Sequence, residues 1–189
     1  MKRNNLGYSL IELALALTAG AVITALALAA LRGVNESRRD QDVLSQVTYL
    51  AQAATVYARP GAVAENNVEA DLIDAGRIPA DWVDGRNAAN PRLVGPWGGQ
   101  IQMDTAYLLG NAAYPDAVDL RLSGMTPSSC ARILMLLAPS AVLIAEGGPA
   151  GPAFKDAAGT LEPTQARAVT ACEGAGGNVY TVRLPIPQA

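Results

Sequence analysis

Three sets of residues in this 189-residue chain carry chemistry worth testing: an isolated acid, a cysteine pair and a few acid–base candidates. The acid is Glu12, the one charge between Tyr8 and Leu31 in a run that also lacks proline. A charge near the middle of a bilayer costs roughly 2.5–3.5 kcal/mol on insertion scales, so an acid there demands a partner. The cysteines are Cys130 and Cys172, both in the last third of the chain. In an exported protein an even pair favours a disulfide; in a cytosolic domain two buried free thiols are the alternative. Closing a loop of that length stabilises a fold by roughly 4 kcal/mol in the chain-entropy model.

Acid–base and nucleophilic chemistry is thinly supplied. The chain has no histidine, which removes the commonest general base, the Ser-His and Cys-His pairings and the commonest metal ligand. A Ser-Lys arrangement rests on Lys155 alone, because the other lysine is Lys2 in the N-terminal leader. Asp116 and Asp119 are a candidate carboxylate pair with nothing around them in sequence to support it. The glycines between Glu146 and Gly159 have no phosphate-loop spacing, since no Gly-Lys-Ser/Thr follows them. The expectation is a protein that is not an enzyme and has no metal and no cofactor.

Charge divides unevenly along the chain. Residues 1–58 hold five basic and four acidic residues, whereas 59–189 hold nine basic and thirteen acidic. The larger part is mildly acidic, without the basic footprint of a nucleic-acid binder, so no nucleic-acid partner is expected. With 18 Gly and 12 Pro, it reads as a loop-laden α+β domain.

The elements that must position Glu12 come first. Met1 to Gly7 is a short polar leader with Lys2 and Arg3, which keep that end in the cytoplasm. Leu13 to Leu31 is nineteen residues of Ala, Leu, Val and Ile relieved by Thr18, Gly20 and Thr24, long enough to span a hydrocarbon core. Three readings compete: a cleaved secretory signal with a site at Ala25-Leu26-Ala27, a plain single-pass anchor, or processing ahead of the apolar run. Against the ordinary signal stands Glu12 at its front, and also a helical pattern that continues beyond it. Val43, Val47, Leu50, Ala54 and Tyr57 recur on one face, with charged residues between Arg32 and Asp42 outside it. No turn signature precedes Arg59-Pro60-Gly61. The simplest account is one helix from about Tyr8 to Tyr57, roughly 75 Å long at 1.5 Å per residue.

Gly7-Tyr8-Ser9-Leu10-Ile11-Glu12 after a basic leader and before a long apolar helix resembles a type IV pilin precursor. The resemblance implies cleavage between Gly7 and Tyr8 by a prepilin peptidase, and N-methylation of Tyr8. Glu12 becomes the fifth mature residue, where the family pairs a carboxylate with a neighbouring subunit's N-terminus. A lone buried carboxylate is costly and an ammonium partner offsets it. Two departures are plain: Tyr8 stands where many members have phenylalanine, and seven residues is a short leader for the larger-headed class. The proline-free stem is unlike the smaller-headed class, whose helix is commonly kinked by one.

Beyond the stem, Val68 to Ala75 reads as a short helix, acidic in its first turn and stopped by Gly76. Residues 81–99 read as a long irregular loop, with Trp82 and Trp97 as aromatic pins rather than an exposed platform. Gln100–Asp104 and Val118–Leu122 alternate as half-buried strands that pair, placing Asp119 and Arg121 on a solvated face. Thr126 caps a helix from Pro127 to Leu137 with Cys130, Ile133, Leu134 and Leu137 on its apolar side, ended by Pro139. Ala141–Ala145 reads as a buried strand, although its periodicity leaves helix open. Glu146–Gly159 reads as an exposed connection, Glu162-Pro163 as the opening of a helix to Cys172, and Asn178–Leu184 as the final strand.

This half resembles the larger-headed type IVb pilins, of the toxin-coregulated and conjugative pilus kind. The matching stretches are Leu72-Ile73-Asp74-Ala75-Gly76, Gly124-Met125-Thr126-Pro127-Ser128-Ser129-Cys130 and Ala171-Cys172-Glu173-Gly174. The resemblance implies a Cys130–Cys172 disulfide closing a surface region that supplies subunit contacts. It implies an α+β fold: a long N-terminal helix, membrane stem plus amphipathic half, packed on an antiparallel sheet. The domains are a 1–7 leader, an 8–58 helix (8–31 transmembrane, later filament core) and a 59–189 head.

The implied partners are further copies in a filament, the prepilin peptidase, an assembly ATPase with its platform protein, and a secretin. The precursor sits in the bacterial inner membrane and the assembled pilus is extracellular. The function expected is a major pilin; alternatives are a minor pilin, a type II secretion pseudopilin, or an anchored periplasmic enzyme or binding protein. Adhesion, aggregation, conjugation and DNA uptake are the roles such filaments serve.

Overall fold

The computed structural model describes residues 38–59, 62–85, 91–108, 114–173 and 179–187, together with Thr18, Ala21 and Thr24. The chain divides into two units between Arg39 and Asp40. In the first, Thr18, Ala21 and Thr24 are helical and exposed. The rest of the expected transmembrane stretch 8–31, and the 1–7 leader, lie outside the described residues. Among the described residues no helix is long and apolar enough to cross a membrane.

The second unit opens with helix α1, residues 40–53, continued by one 3-10 turn at Ala54–Tyr57. Val43, Val47, Leu50 and Ala54 are buried and Tyr57 packs partly against the core, as the spacing of that face requires. Helix α2 (Val68–Asp74) buries Val68 and Leu72. It stops where Gly76 takes φ +65°, which lets the Arg77 N–H reach the Leu72 carbonyl at 2.9 Å and close the last turn.

Among the described residues the sheet has seven strands, all antiparallel, in the order β1-β2-β3-β4-β7-β5-β6. They are β1 Val83–Asp84, β2 Arg92–Val94, β3 Gln100–Ala106, β4 Ala117–Leu122, β5 Leu143–Glu146, β6 Ala153–Lys155 and β7 Tyr180–Pro185. The centre is the β3–β4 pair, in register from Ile101 opposite Leu122 to Ala106 opposite Ala117. The last strand of the chain, β7, inserts between β4 and β5 and so joins the two halves of the sheet. One face carries Ile101, Met103, Leu120, Leu122, Val182 and Ile144 into a single core with the buried face of α1.

Helix α3 (Pro127–Leu137) begins where expected, with Thr126 Oγ1 accepting the Ser129 N–H. Helix α4 runs Gln165–Cys172, later than the Glu162-Pro163 start, because the Thr164 hydroxyl takes the cap by accepting from the Arg167 N–H. Two loop expectations are corrected. Residues 81–99 contain β1 and β2, and 146–159 contains β6. These strands are two or three residues long, held by pairing to a neighbour and by buried Leu93 and Phe154 rather than by propensity. Strand β5 begins at Leu143, two residues beyond the expected start.

Both tryptophans pin loops. Trp82 meets Tyr49 of α1 edge-on, with ring centroids 5.2 Å apart. The Trp97 indole folds back over Gly95 and Gly99 in the β2–β3 turn, and its Nε1 donates to the Ser123 carbonyl at 2.9 Å.

Candidate functional site

Gly7, Tyr8 and Glu12 lie outside the described residues, so the structure positions the other implied site, the region between Cys130 and Cys172. It is built from α3, the β5–β6 hairpin and α4. Thr126 and Thr164 start the two helices, and each helix turns a cysteine inward: Cys130 and Cys172 are buried and bonded, with Cα atoms 5.9 Å apart. The bond joins the first turn of α3 to the last residue of α4 across a separation of 42 residues.

The hairpin is tied to the other end of α3 by a side chain that the sequence offered for quite different chemistry. Lys155 Nζ on β6 donates to the carbonyls of Ala138 and Ala141 at 2.7 and 2.5 Å. An ammonium there satisfies carbonyls that a helix end leaves open and matches the negative end of its dipole. Lys155 is a helix cap, not the base of a Ser-Lys pair. Tyr180 on β7 donates from its hydroxyl to the Ala171 carbonyl at 2.5 Å, which fixes α4 to the sheet. Burial, and then the charge of Glu146, pushes the Tyr180 phenol up from its ordinary value.

An open cleft of about 340 Å³ lies between α4 and the hairpin, floored by Phe154 and Tyr180 and edged by Glu146 and Arg167. Arg167 is engaged there: it donates to the Glu162 carbonyl at 2.9 Å and to the Ala153 carbonyl at 3.4 Å. Val169, on the same helix, is exposed. At the other end of the unit, Arg132 of α3 grips Asp40 of α1 through Nε and Nη2, at 3.1 and 2.7 Å from Oδ2. The disulfide-closed region thus holds Asp40 of α1 as well as the hairpin.

The sheet face away from the core corrects a further expectation. Asp119 is not solvated: it is buried, and Arg183 of β7 binds both its carboxylate oxygens, each contact 2.7 Å. That contact, ahead of the charge itself, holds the Arg183 guanidinium more firmly protonated than usual. Arg121 pairs with Asp104 of β3 at 2.7 Å. Asp116 does not join Asp119 in a dyad, because its Oδ1 accepts the Leu108 N–H at 2.7 Å. Both acids are used in holding chain together. Among the described residues no group of three or more His, Cys, Asp or Glu is placed to hold a metal ion.

A seven-stranded antiparallel sheet packed against an amphipathic N-terminal helix, with a disulfide-closed C-terminal region, invites comparison with solved structures. The chain is similar to TcpA, a type IV pilin from Vibrio cholerae El Tor biotype, with a TM-score of 0.53. The match is 13% identical and covers 77% of this chain and 98% of that one. The chain has a type IV pilin fold. A type IVb pilin from Salmonella typhi also matches, at 20% identity over 76% of this chain and 99% of that chain, with a TM-score of 0.48. No family model and no curated protein matches the sequence. Within the pilin fold, the roles that sequence reasoning missed are those of Arg183, Asp104, Lys155 and the Asp40–Arg132 pair. Each works through a partner distant in the chain, and no local pattern marks it.

Proposed function

We propose that this chain is a type IVb-like pilin: a structural subunit, not an enzyme, that polymerises through its N-terminal helix. The observation that carries the reading is a pilin fold, matched over 77% of a chain whose N-terminus reads Gly7-Tyr8-Ser9-Leu10-Ile11-Glu12. In this reading a prepilin peptidase cuts after Gly7 and methylates Tyr8. The apolar run 8–31 holds the precursor in the inner membrane. An assembly ATPase, its platform protein and a secretin then carry copies into an extracellular filament. Ala14, Ala16 and Gly20 let stems approach closely. Glu12 pairs with a neighbour's N-terminal ammonium, which offsets the cost of burying a carboxylate and sets axial register. The role as major subunit is part of the proposal.

Mass spectrometry of the mature N-terminus tests it. A chain beginning at methylated Tyr8 supports the reading; an intact Met1, or a start at Leu28, sinks it. Glu12→Ala gives the second test: normally processed protein with few or no filaments is expected, and a normal filament yield overturns the role of Glu12. Sheared surface filaments made mostly of this chain separate a major from a minor subunit.

A further inference from the structure

Strand β2 covers the edge of β3 only as far as Leu93 opposite Ile101. Past that point the edge is taken by the connection between α1 and α2 and by the first turn of α2, through residues 65, 67 and 69. The Glu65 carbonyl accepts the Thr105 N–H at 2.8 Å, and Thr105 Oγ1 accepts the Glu65 N–H at 2.7 Å. The Asn67 N–H donates to Asp104 Oδ1 at 2.9 Å. The Met103 N–H donates to Glu69 Oε2 at 3.0 Å. The segment is a strap doing a strand's work, but at Met103 a side-chain carboxylate stands where a backbone carbonyl would be.

That carboxylate is poorly provided for. Glu69 is 9% exposed, and among the described residues it forms no ion pair. The charged groups facing it are Asp104 on β3, Arg121 on β4, already paired with Asp104, and Arg92 of β2 across a polar cavity of about 260 Å³. Gln100 and Gln102 also line that cavity and offer acceptors to an O–H. Burial pushes the Glu69 carboxyl up from its ordinary value; the Met103 N–H opposes this and Asp104 adds to it. A protonated Glu69 keeps a carbonyl oxygen for Met103 while losing both the desolvated charge and the repulsion from Asp104.

We propose that Glu69 makes the 65–69 strap a proton-operated clasp on the edge of β3: it tightens when Glu69 is protonated and loosens when Glu69 ionises. The sign follows from linkage. A carboxyl that binds its proton more tightly folded than unfolded contributes stability at low pH, and loses it as pH rises through the folded value. In an extracellular protein this ties the mobility of α2 to the acidity of the medium.

Amide hydrogen exchange on the full chain in detergent, corrected for intrinsic rates, tests this at Met103 and Thr105 from about pH 4.5 to about pH 8, a range that begins at the ordinary carboxylate value. Protection is expected to fall measurably across that range as Glu69 ionises. In Glu69→Gln it stays flat. In Asp104→Asn the midpoint moves to lower pH, because the neighbouring negative charge is gone and Arg121 is freed. Protection independent of pH in the wild type, an unchanged pH response in Glu69→Gln, or an unmoved midpoint in Asp104→Asn each overturns the proposal. Should Glu69→Gln fail to fold, the Asp104→Asn arm and the wild-type profile still decide it.

Discussion

Asp104 and Asp119 stand directly opposite each other on the β3–β4 ladder, two buried carboxylates at one rung. Like charges placed so are destabilising. They persist because each has its own arginine: Arg121, one rung-pair along β4, takes Asp104, and Arg183 of β7 takes Asp119. The two pairs differ in burial, with the Arg183 side chain 18% exposed and the Arg121 side chain 42%. Arg183→Leu strands Asp119 in the sheet and is expected to cost about 3 kcal/mol or more. Arg121→Leu is expected to cost about 1 kcal/mol, since water already screens that pair. Denaturant titration of both variants checks the order. Equal losses, or a larger loss for Arg121→Leu, contradict it.

That network also marks where sequence reasoning stops. Alternation along Val118–Leu122 places Asp119 on the face opposite Leu120, and this is right. Alternation does not say what covers that face, and here the cover is Arg183, 64 residues away. The α1 face was legible because Val43, Val47, Leu50 and Ala54 repeat with the helix period and all point to one core. The start of α3 was legible because Thr126-Pro127 is a local signal with a local partner, the Ser129 N–H. Glu69 reads equally well as an acid at a helix N-terminus, and only the edge of β3 shows that it is a buried strand surrogate. The role of Lys155 is illegible for the same reason, since the carbonyls it binds lie 14 and 17 residues earlier.

Tyr180 gives an alkaline test. Its phenol is raised by burial, so the folded chain holds the proton more tightly than the unfolded chain does. Its stabilising contribution is therefore complete below the ordinary value near pH 10 and is lost as pH rises through the folded value. Tyr180→Phe is expected to cost about 1 kcal/mol at neutral pH, because the Ala171 carbonyl loses its donor. Above about pH 10 the variant falls off less steeply than the wild type. Stability measured against pH from neutrality upward checks both halves. Parallel curves rule out a contribution from Tyr180 ionisation.

Gly99 tests the turn that carries Trp97. A Cβ there would sit 1.8 Å from the Ser123 carbonyl oxygen and 2.3 Å from the Trp97 Nε1 that bonds it. Neither the backbone oxygen nor the hydrogen-bonded indole has room to yield. Gly99→Ala is expected to destabilise by about 2 kcal/mol, in the range of overpacked sites, and to expose the indole. Tryptophan fluorescence should shift to the red under native conditions. Gly98→Ala is the comparison: nothing lies within 4 Å of a Cβ there, so its penalty comes from φ +85° alone and leaves the indole in place.

The disulfide gives the largest single prediction. Cys130 and Cys172 are buried at 0% and 1% exposure, so native protein should resist thiol reductants until it opens. Replacing both with serine is expected to cost roughly 4 kcal/mol, the chain entropy of a closed loop of about this length. The loss should not fall evenly. α3 keeps Thr126, Lys155 and the Arg132–Asp40 pair, while α4 keeps Thr164 and the Tyr180 hydroxyl bond. The first set ties α3 at both ends, while α4 is tied to the sheet by the Tyr180 bond near its C-terminus and by only a long contact, 3.4 Å, from Arg167 to the Ala153 carbonyl near its start. Hydrogen exchange in Cys130→Ser/Cys172→Ser should therefore show α4 losing protection well before α3. Simultaneous loss in both helices would mean that the disulfide holds the region as one cooperative body, with the caps adding little.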